Sequence, residues 1–166
     1  VLGMIPPGKF IEMAEQSGII NDITLWVIKE GLEKLAKWNK AGQIISMSLN
    51  ISPRCLHDTR LMNCIAENIV KNNIQPEQVI LELTETALMT NTDTAIKILI
   101  SLSVLGVKLS IDDFGTGHSS MMYLHMLPVA EIKIDKSFVI DMEHNHRNKK
   151  IVKAIIGLAH SIDSIV

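Results

Sequence analysis

Aromatic residues are scarce, 4% of 166 positions, which excludes a core built on stacked rings. Burial has to rest on Ile, Leu, Val and nine methionines, a composition that suits parallel strands covered by helices. There are only two cysteines, Cys55 and Cys64, and their spacing fits neither a metal knuckle nor a redox pair. Free thiols in a reducing compartment are therefore expected. No block of like charge occurs, and the net charge of −2 provides no broad basic face of the kind duplex nucleic acid requires. A small phosphorylated ligand would have to be held locally. No apolar run reaches the roughly 18 residues of a membrane span. The stretch Ile151 to Val166 is broken by Lys153, His160 and Asp163, so no membrane contact by this segment is expected. The start, Val1-Leu2-Gly3-Met4, has neither the basic opening nor the cleavage pattern of a signal peptide, and reads as an excision from a longer protein.

What is present is a rhythm of helices and strands. Helical patterning over Phe10 to Gln16 closes at Gly18, and a second stretch, Ile23 to Asn39, precedes Gly42 and sets Ile23, Trp26, Val27, Leu35 and Trp38 near one stripe. Then follow a predicted strand (Ile44 to Asn50), a helix (Leu61 to Asn72), a strand (Val79 to Thr84), a helix (Thr94 to Leu105), a strand (Val107 to Asp112), a helical stretch (Ser119 to Met126), a strand (Glu131 to Asp135) and a last helix (Lys149 to Ser161). Alternation of this kind implies βαβ units and a parallel sheet. No linker divides the chain, so a single domain over residues 1–166 is expected. That length is short of the about 250 residues usual for a (β/α)8 barrel.

Alternation inside the strands refines the fold class. Ile45, Met47, Leu49 and Ile51 oppose Ser46, Ser48, Asn50 and Ser52; Val107, Leu109 and Ile111 oppose Lys108, Ser110 and Asp112; Ile132 and Ile134 oppose Glu131, Lys133 and Asp135. An open doubly wound sheet buries both faces and should read as almost continuously apolar. A barrel with helices outside and a polar interior fits better. The expected class is α/β, a TIM-barrel-like fold represented by about four parallel strands.

Parallel strands joined by right-handed crossovers gather their C-terminal ends along one edge. Those ends carry Asn50, Glu82, the pair Asp112-Asp113, and Lys133. Three carboxylates and an amide oxygen in one small region call for a cation between them, and an all-oxygen set suits Mg²⁺, Mn²⁺ or Ca²⁺. An adjacent pair such as Asp112-Asp113 has the means to address two ions, the arrangement that clamps an in-line displacement at phosphorus. Ser119-Ser120 follows the glycines with no general base in view, which argues against a serine nucleophile.

These motifs resemble the EAL family of cyclic-di-GMP phosphodiesterases. The resemblance runs through Met4-Ile5-Pro6-Pro7, Phe10-Ile11, Ala14-Glu15, Ser48-Leu49-Asn50-Ile51-Ser52, Leu81-Glu82-Leu83-Thr84-Glu85, Asp112-Asp113-Phe114-Gly115-Thr116-Gly117 and Ile132-Lys133-Ile134-Asp135. It implies a (β/α)8 barrel that hydrolyses cyclic-di-GMP to the linear dinucleotide pGpG with Mg²⁺ or Mn²⁺, Ca²⁺ being inhibitory. It implies Asn50, Glu82, Asp112 and Asp113 as metal ligands, with Asp113 reaching a second ion, and Lys133 as the residue that holds the attacking water or the phosphate. Glu85 would fix the loop Phe114, Gly115, Thr116, Gly117, His118 and Ser119, which serves substrate binding and dimerisation.

The same resemblance implies a homodimer, a cytoplasmic location, and an N-terminal sensor or GGDEF domain in the parent protein. The glutamate of the motif that names the family is expected upstream of Val1, and a further one beyond Val166, so this stretch alone is expected to be inactive. His118 stands where the family usually has Tyr, and Cys55 where Gln is common. The alternative function is a catalytically inactive receptor for the same dinucleotide, or a protein-interaction module.

Overall fold

The computed structural model describes residues 3–89, 93–117, 121–140 and 142–166. Two helices open it, α1 (Ile11–Ser17) and α2 (Ile20–Lys40), and α1 stops where Gly18 takes φ +80°, a left-handed turn that favours glycine. Four strands follow, β1 (Met47–Asn50), β2 (Val79–Thr84), β3 (Lys108–Phe114) and β4 (Val129–Ile134). Between them lie α3 (Arg60–Asn72), α4 (Glu85–Met89), α5 (Asp93–Val104) and α6 (Met121–Met126); α7 (Lys136–Ile140) and α8 (His146–Ser161) come after.

The strands form one sheet in the order β1-β2-β3-β4, every pair parallel. This is the α/β, TIM-barrel-like arrangement expected from the sequence, with four strands of such a barrel in view. Beyond β4 the next pairing begins at Ile165, whose N–H donates to Ala130 O at 3.0 Å while its carbonyl accepts from Ile132 N at 2.9 Å.

Register explains where the strands begin. Met47 pairs with Val79, so the predicted residues Ile44 to Ser46 have no partner strand. Ile44 is exposed, and Ile45 O accepts from the Gln78 side chain instead. The helix-facing side carries Leu49, Leu81, Leu83, Leu109, Ile111 and Ile132, all buried in one apolar cluster with the helices. Each such side chain contributes about 1.5–3 kcal/mol relative to exposure.

On α2 the buried stripe is Ile20, Thr24, Ile28, Leu32, Leu35 and Ala36. Trp26 does not share it: it is 62% exposed, one face away from the stripe the sequence suggested. The helix α8 begins three residues before its predicted start because the Asn145 side chain accepts from Arg147 N and Asn148 N, capping it there. No helix among the described residues is long and apolar enough to cross a membrane.

The pairing of β3 with β4 slips twice. Leu109 faces Val129 and Ser110 faces Glu131, so Ala130 is an extra residue in β4; Ile111 faces Ile132 and Phe114 faces Ile134, so Asp112 and Asp113 together oppose the single residue Lys133. The second slip is a β-bulge at the C-terminal end of the strand. It carries β3 two residues beyond the predicted end at Asp112 and returns Phe114 to the apolar side, where it is 4% exposed.

Candidate active site

The polar face of the sheet is assembled in layers. Asn50 of β1 lies opposite Glu82 of β2, Glu82 opposite Ser110 of β3, and Ser110 opposite Glu131 of β4. One step further along, Thr84 faces Asp112, and Lys133 lies across from the Asp112-Asp113 bulge. Glu82 is buried, at 6% exposure, and Lys133 Nζ donates to its Oε1. Below this pair, Ser110 Oγ, itself fully buried, donates to Glu131 Oε2 at 2.7 Å. Desolvation acts to lower the pKa of the Lys133 ammonium, but the Glu82 hydrogen bond and the charges of Glu82, Asp112 and Glu131 override it, and the net shift is upward.

The bulge sets the two aspartates apart. Asp113 sits in the left-handed region at φ +53°, which Asp tolerates better than most residues. Its N–H donates to Asp112 Oδ1 at 3.0 Å, and its carbonyl accepts from Thr116 Oγ1 at 2.9 Å. Partial desolvation, followed by the charges of Asp112 and Asp135 and a hydrogen bond with Asp135, pushes the Asp113 carboxyl above the usual range. Asp135 moves the other way, chiefly because Ser137 donates to it.

The turn after β3 is held from β2's side. Glu85, at 3% exposure, accepts from Gly115 N at 2.9 Å and Gly117 N at 3.0 Å through one oxygen, Oε2. Gly115 adopts φ +103°, and a Cβ there would lie 2.9 Å from Phe138 Cε2, so this position requires glycine for both backbone and space. Phe114 anchors the turn in the core, and Thr116 is exposed. His118 and Ser119, expected in the same loop, lie outside the described residues.

The structure thus brings Glu82 to Lys133, sets Asn50 beside Glu82, and turns Asp113 towards Asp135. Among the described residues no three His, Cys, Asp or Glu side chains stand together closely enough to hold a metal ion. The donor set nevertheless suits a hard divalent cation: every candidate ligand offers oxygen, and the buried Glu82 carboxylate already holds one positive charge, the Lys133 ammonium. Beside this rim opens a cleft of about 680 Å³ that Asn50, Ser52, Glu82 and Thr84 share with α1 and α2.

Three side chains gained a place here that the sequence reading did not give them. Glu131 and Asp135 belong to the alternating polar face of β4, yet only the hydrogen bonds to Ser110 and Ser137 reveal their partners. Glu15 accepts from Ser52 Oγ at 2.8 Å across 37 residues of sequence, a contact that no local pattern signals.

The chain belongs to the EAL domain family, whose model matches residues 1–166. It is 40% identical over 157 residues to the signaling protein YkoW of Bacillus subtilis (strain 168), covering 95% of this chain and 20% of that protein. It is 34% identical over 161 residues to the cyclic di-GMP phosphodiesterase PdeR of Escherichia coli (strain K12), covering 97% and 24%. The chain therefore spans only about a fifth to a quarter of these curated relatives. Among solved structures, the PaMucR phosphodiesterase in complex with c-di-GMP superposes with a TM-score of 0.91 at 35% identity, covering 99% of this chain and 67% of that one. The FimX EAL domain of Pseudomonas aeruginosa bound to c-di-GMP gives 0.86 at 26%, covering 96% and 64%.

Proposed function

We propose that the domain carrying this chain hydrolyses one phosphodiester bond of cyclic di-GMP, giving the linear dinucleotide pGpG in bacterial second-messenger signalling. The observation that carries the reading is the polar rim itself. Asn50, Glu82, the Asp112-Asp113 bulge and Lys133 lie on consecutive parallel strands at one edge of the sheet, in a chain that aligns along 99% of its length with a phosphodiesterase solved in complex with c-di-GMP.

Asn50, Glu82, Asp112 and Asp113 would hold Mg²⁺ or Mn²⁺, with Ca²⁺ as an inhibitory substitute. Such ions, when bound, polarise phosphoryl oxygens and bring a water nucleophile to neutral pH. The chain's own residues do the rest. Lys133 stays charged at neutral pH, and once Glu82 is engaged elsewhere its ammonium is free to meet a non-bridging phosphate oxygen, where negative charge builds during displacement. Glu85 fixes the Gly115 to Gly117 backbone, so the turn that follows the double aspartate keeps one shape while substrate binds. The loop continuing through His118 and Ser119 serves substrate and dimer contacts in this reading. The domain is then a cytoplasmic homodimer within a protein that carries a sensor or GGDEF domain on its N-terminal side.

Replacing Asp112 with Asn in the full-length protein tests the assignment. Turnover of cyclic di-GMP with Mg²⁺ or Mn²⁺, followed as pGpG by chromatography, should fall by about 10²–10³-fold or more, and retained turnover refutes it. Tight binding with no product from the unaltered protein would favour the receptor instead.

A further inference from the structure

Lys133 has to change partners if the rim takes up a cation. Three carboxylates act on its ammonium, those of Glu82, Asp112 and Glu131. The first two belong to the oxygen set that would hold the metal, so a bound ion takes them away from Lys133. Glu131 is the one left. It stands on the same strand and the same polar face as Lys133, two residues nearer the strand's start. Register places it opposite Ser110, which in turn faces Glu82, so the two carboxylates lie on strands two spacings apart, about 10 Å, with Lys133 reaching across from the Glu131 side.

The surroundings of Glu131 hold a charge in place there. Ser110 is fully buried, and its Oγ donates to Glu131 Oε2 at 2.7 Å. The backbone is fixed as well: Ile132 N donates to Ile165 O at 2.9 Å and Ile165 N donates to Ala130 O at 3.0 Å, which keeps the side chain between them on the polar face. Among the described residues Oε1 accepts no hydrogen bond, and no cation pairs with Glu131. One oxygen is braced and the other is open, in a half-buried carboxylate next to an ammonium on the same face. The flexible four-carbon stem of lysine allows the ammonium to move between the two acceptors by rotation about its own bonds.

We propose that Glu131 is a positioning residue that receives the Lys133 ammonium when a metal ion engages Glu82, with Ser110 bracing the carboxylate. The exchange keeps Lys133 charged and on the polar face, and it makes Glu82 easier to give up to the ion. Without Glu131 the ammonium has no counter-charge in the metal-loaded state, so it holds on to Glu82 and competes with the ion. This inference rests on the metal-dependent cyclic di-GMP reading above and adds to it the residue that frees the metal ligand.

The test is a double-mutant cycle on Mn²⁺ binding, measured by calorimetry on the full-length protein without dinucleotide. Glu131→Gln keeps an acceptor for Ser110 and removes the charge. It should raise the Kd for Mn²⁺ by about tenfold while Lys133 is present, and by no more than about twofold in a Lys133→Met background. Ser110→Ala keeps the charge and removes the brace; it should raise the Kd by about threefold, again only with Lys133 in place, and it carries the test if Glu131→Gln does not fold. Equal weakening in both backgrounds overturns the inference, because Glu131 then acts on the ion through its field alone and not through Lys133. A Kd unchanged by either variant overturns it as well. An unaltered protein that binds no Mn²⁺ overturns the metal-dependent reading itself, and the inference with it.

Discussion

The two faces of the sheet use the same four strands for opposite ends. The helix-covered face presents Leu49, Leu81, Leu109 and Ile132, each at 4% exposure or less and all in one apolar cluster. The other face presents Asn50, Glu82, Ser110, Glu131 and Lys133, where hydrogen bonds and charge replace packing. Stability and chemistry are thereby separated by the strand's two-residue period. Substitutions on one side should leave the other largely intact.

The strongest break of this division is expected from Leu81→Ala, which opens a cavity on the apolar face. Unfolding in urea should show a loss of about 2–5 kcal/mol, while turnover per folded molecule stays close to that of the unaltered protein. On the polar face, Lys133→Met leaves the buried Glu82 carboxylate without its partner. Because the Lys133 side chain is 36% exposed, solvent screening reduces the cost, and a loss of about 1–2 kcal/mol is expected.

The pH sign follows from the raised Lys133 pKa. Its stabilising contribution is complete below the ordinary value of 10.5 and disappears as alkali titrates the group in the folded protein. Melting temperatures of the variant and the unaltered protein should therefore converge at high pH. Added Mg²⁺ should raise the variant's melting temperature more than the unaltered protein's, since no ammonium competes for Glu82.

A smaller effect is expected from Glu85→Gln, which exchanges charge-assisted bonds to Gly115 N and Gly117 N for neutral ones. The loss should be about 1 kcal/mol, and hydrogen exchange should quicken at those two amides before the rest of the chain. Asp58→Asn marks the lower limit. Arg60 lowers the Asp58 pKa by hydrogen bonding, but Arg60 is largely exposed, so the loss should stay below about 1 kcal/mol. That contribution is present above pH 3.8 and lost as acid passes through the lowered value, so acid titration of both proteins should bring their stabilities together.

Legibility followed the same division. Strand β2 was predicted over Val79 to Thr84 and is found there, because a short apolar run bounded by turn residues is a local signal. The polar and apolar sets of β3 and β4 were also readable, since alternation is written in consecutive residues. The bulge was not, because an extra residue exists only relative to a partner strand. Nor were α4 and α7, five residues each, too short for a helical period to declare itself. Trp26 misled for a related reason: a large apolar side chain suggests burial, but only tertiary packing decides which stripe of a helix faces inward.

The two slips between β3 and β4 act as a matched insertion pair. Ala130 lengthens one strand by a residue and the double aspartate lengthens the other, so beyond the rim both strands are back in step and Phe114 packs with Ile134. Removing Ala130 alone would leave that compensation one-sided. Lys133 would still lie across from the double aspartate, because Glu131 and Ile132 keep Ser110 and Ile111 as partners, and the missing residue would be felt only on the side of Val129.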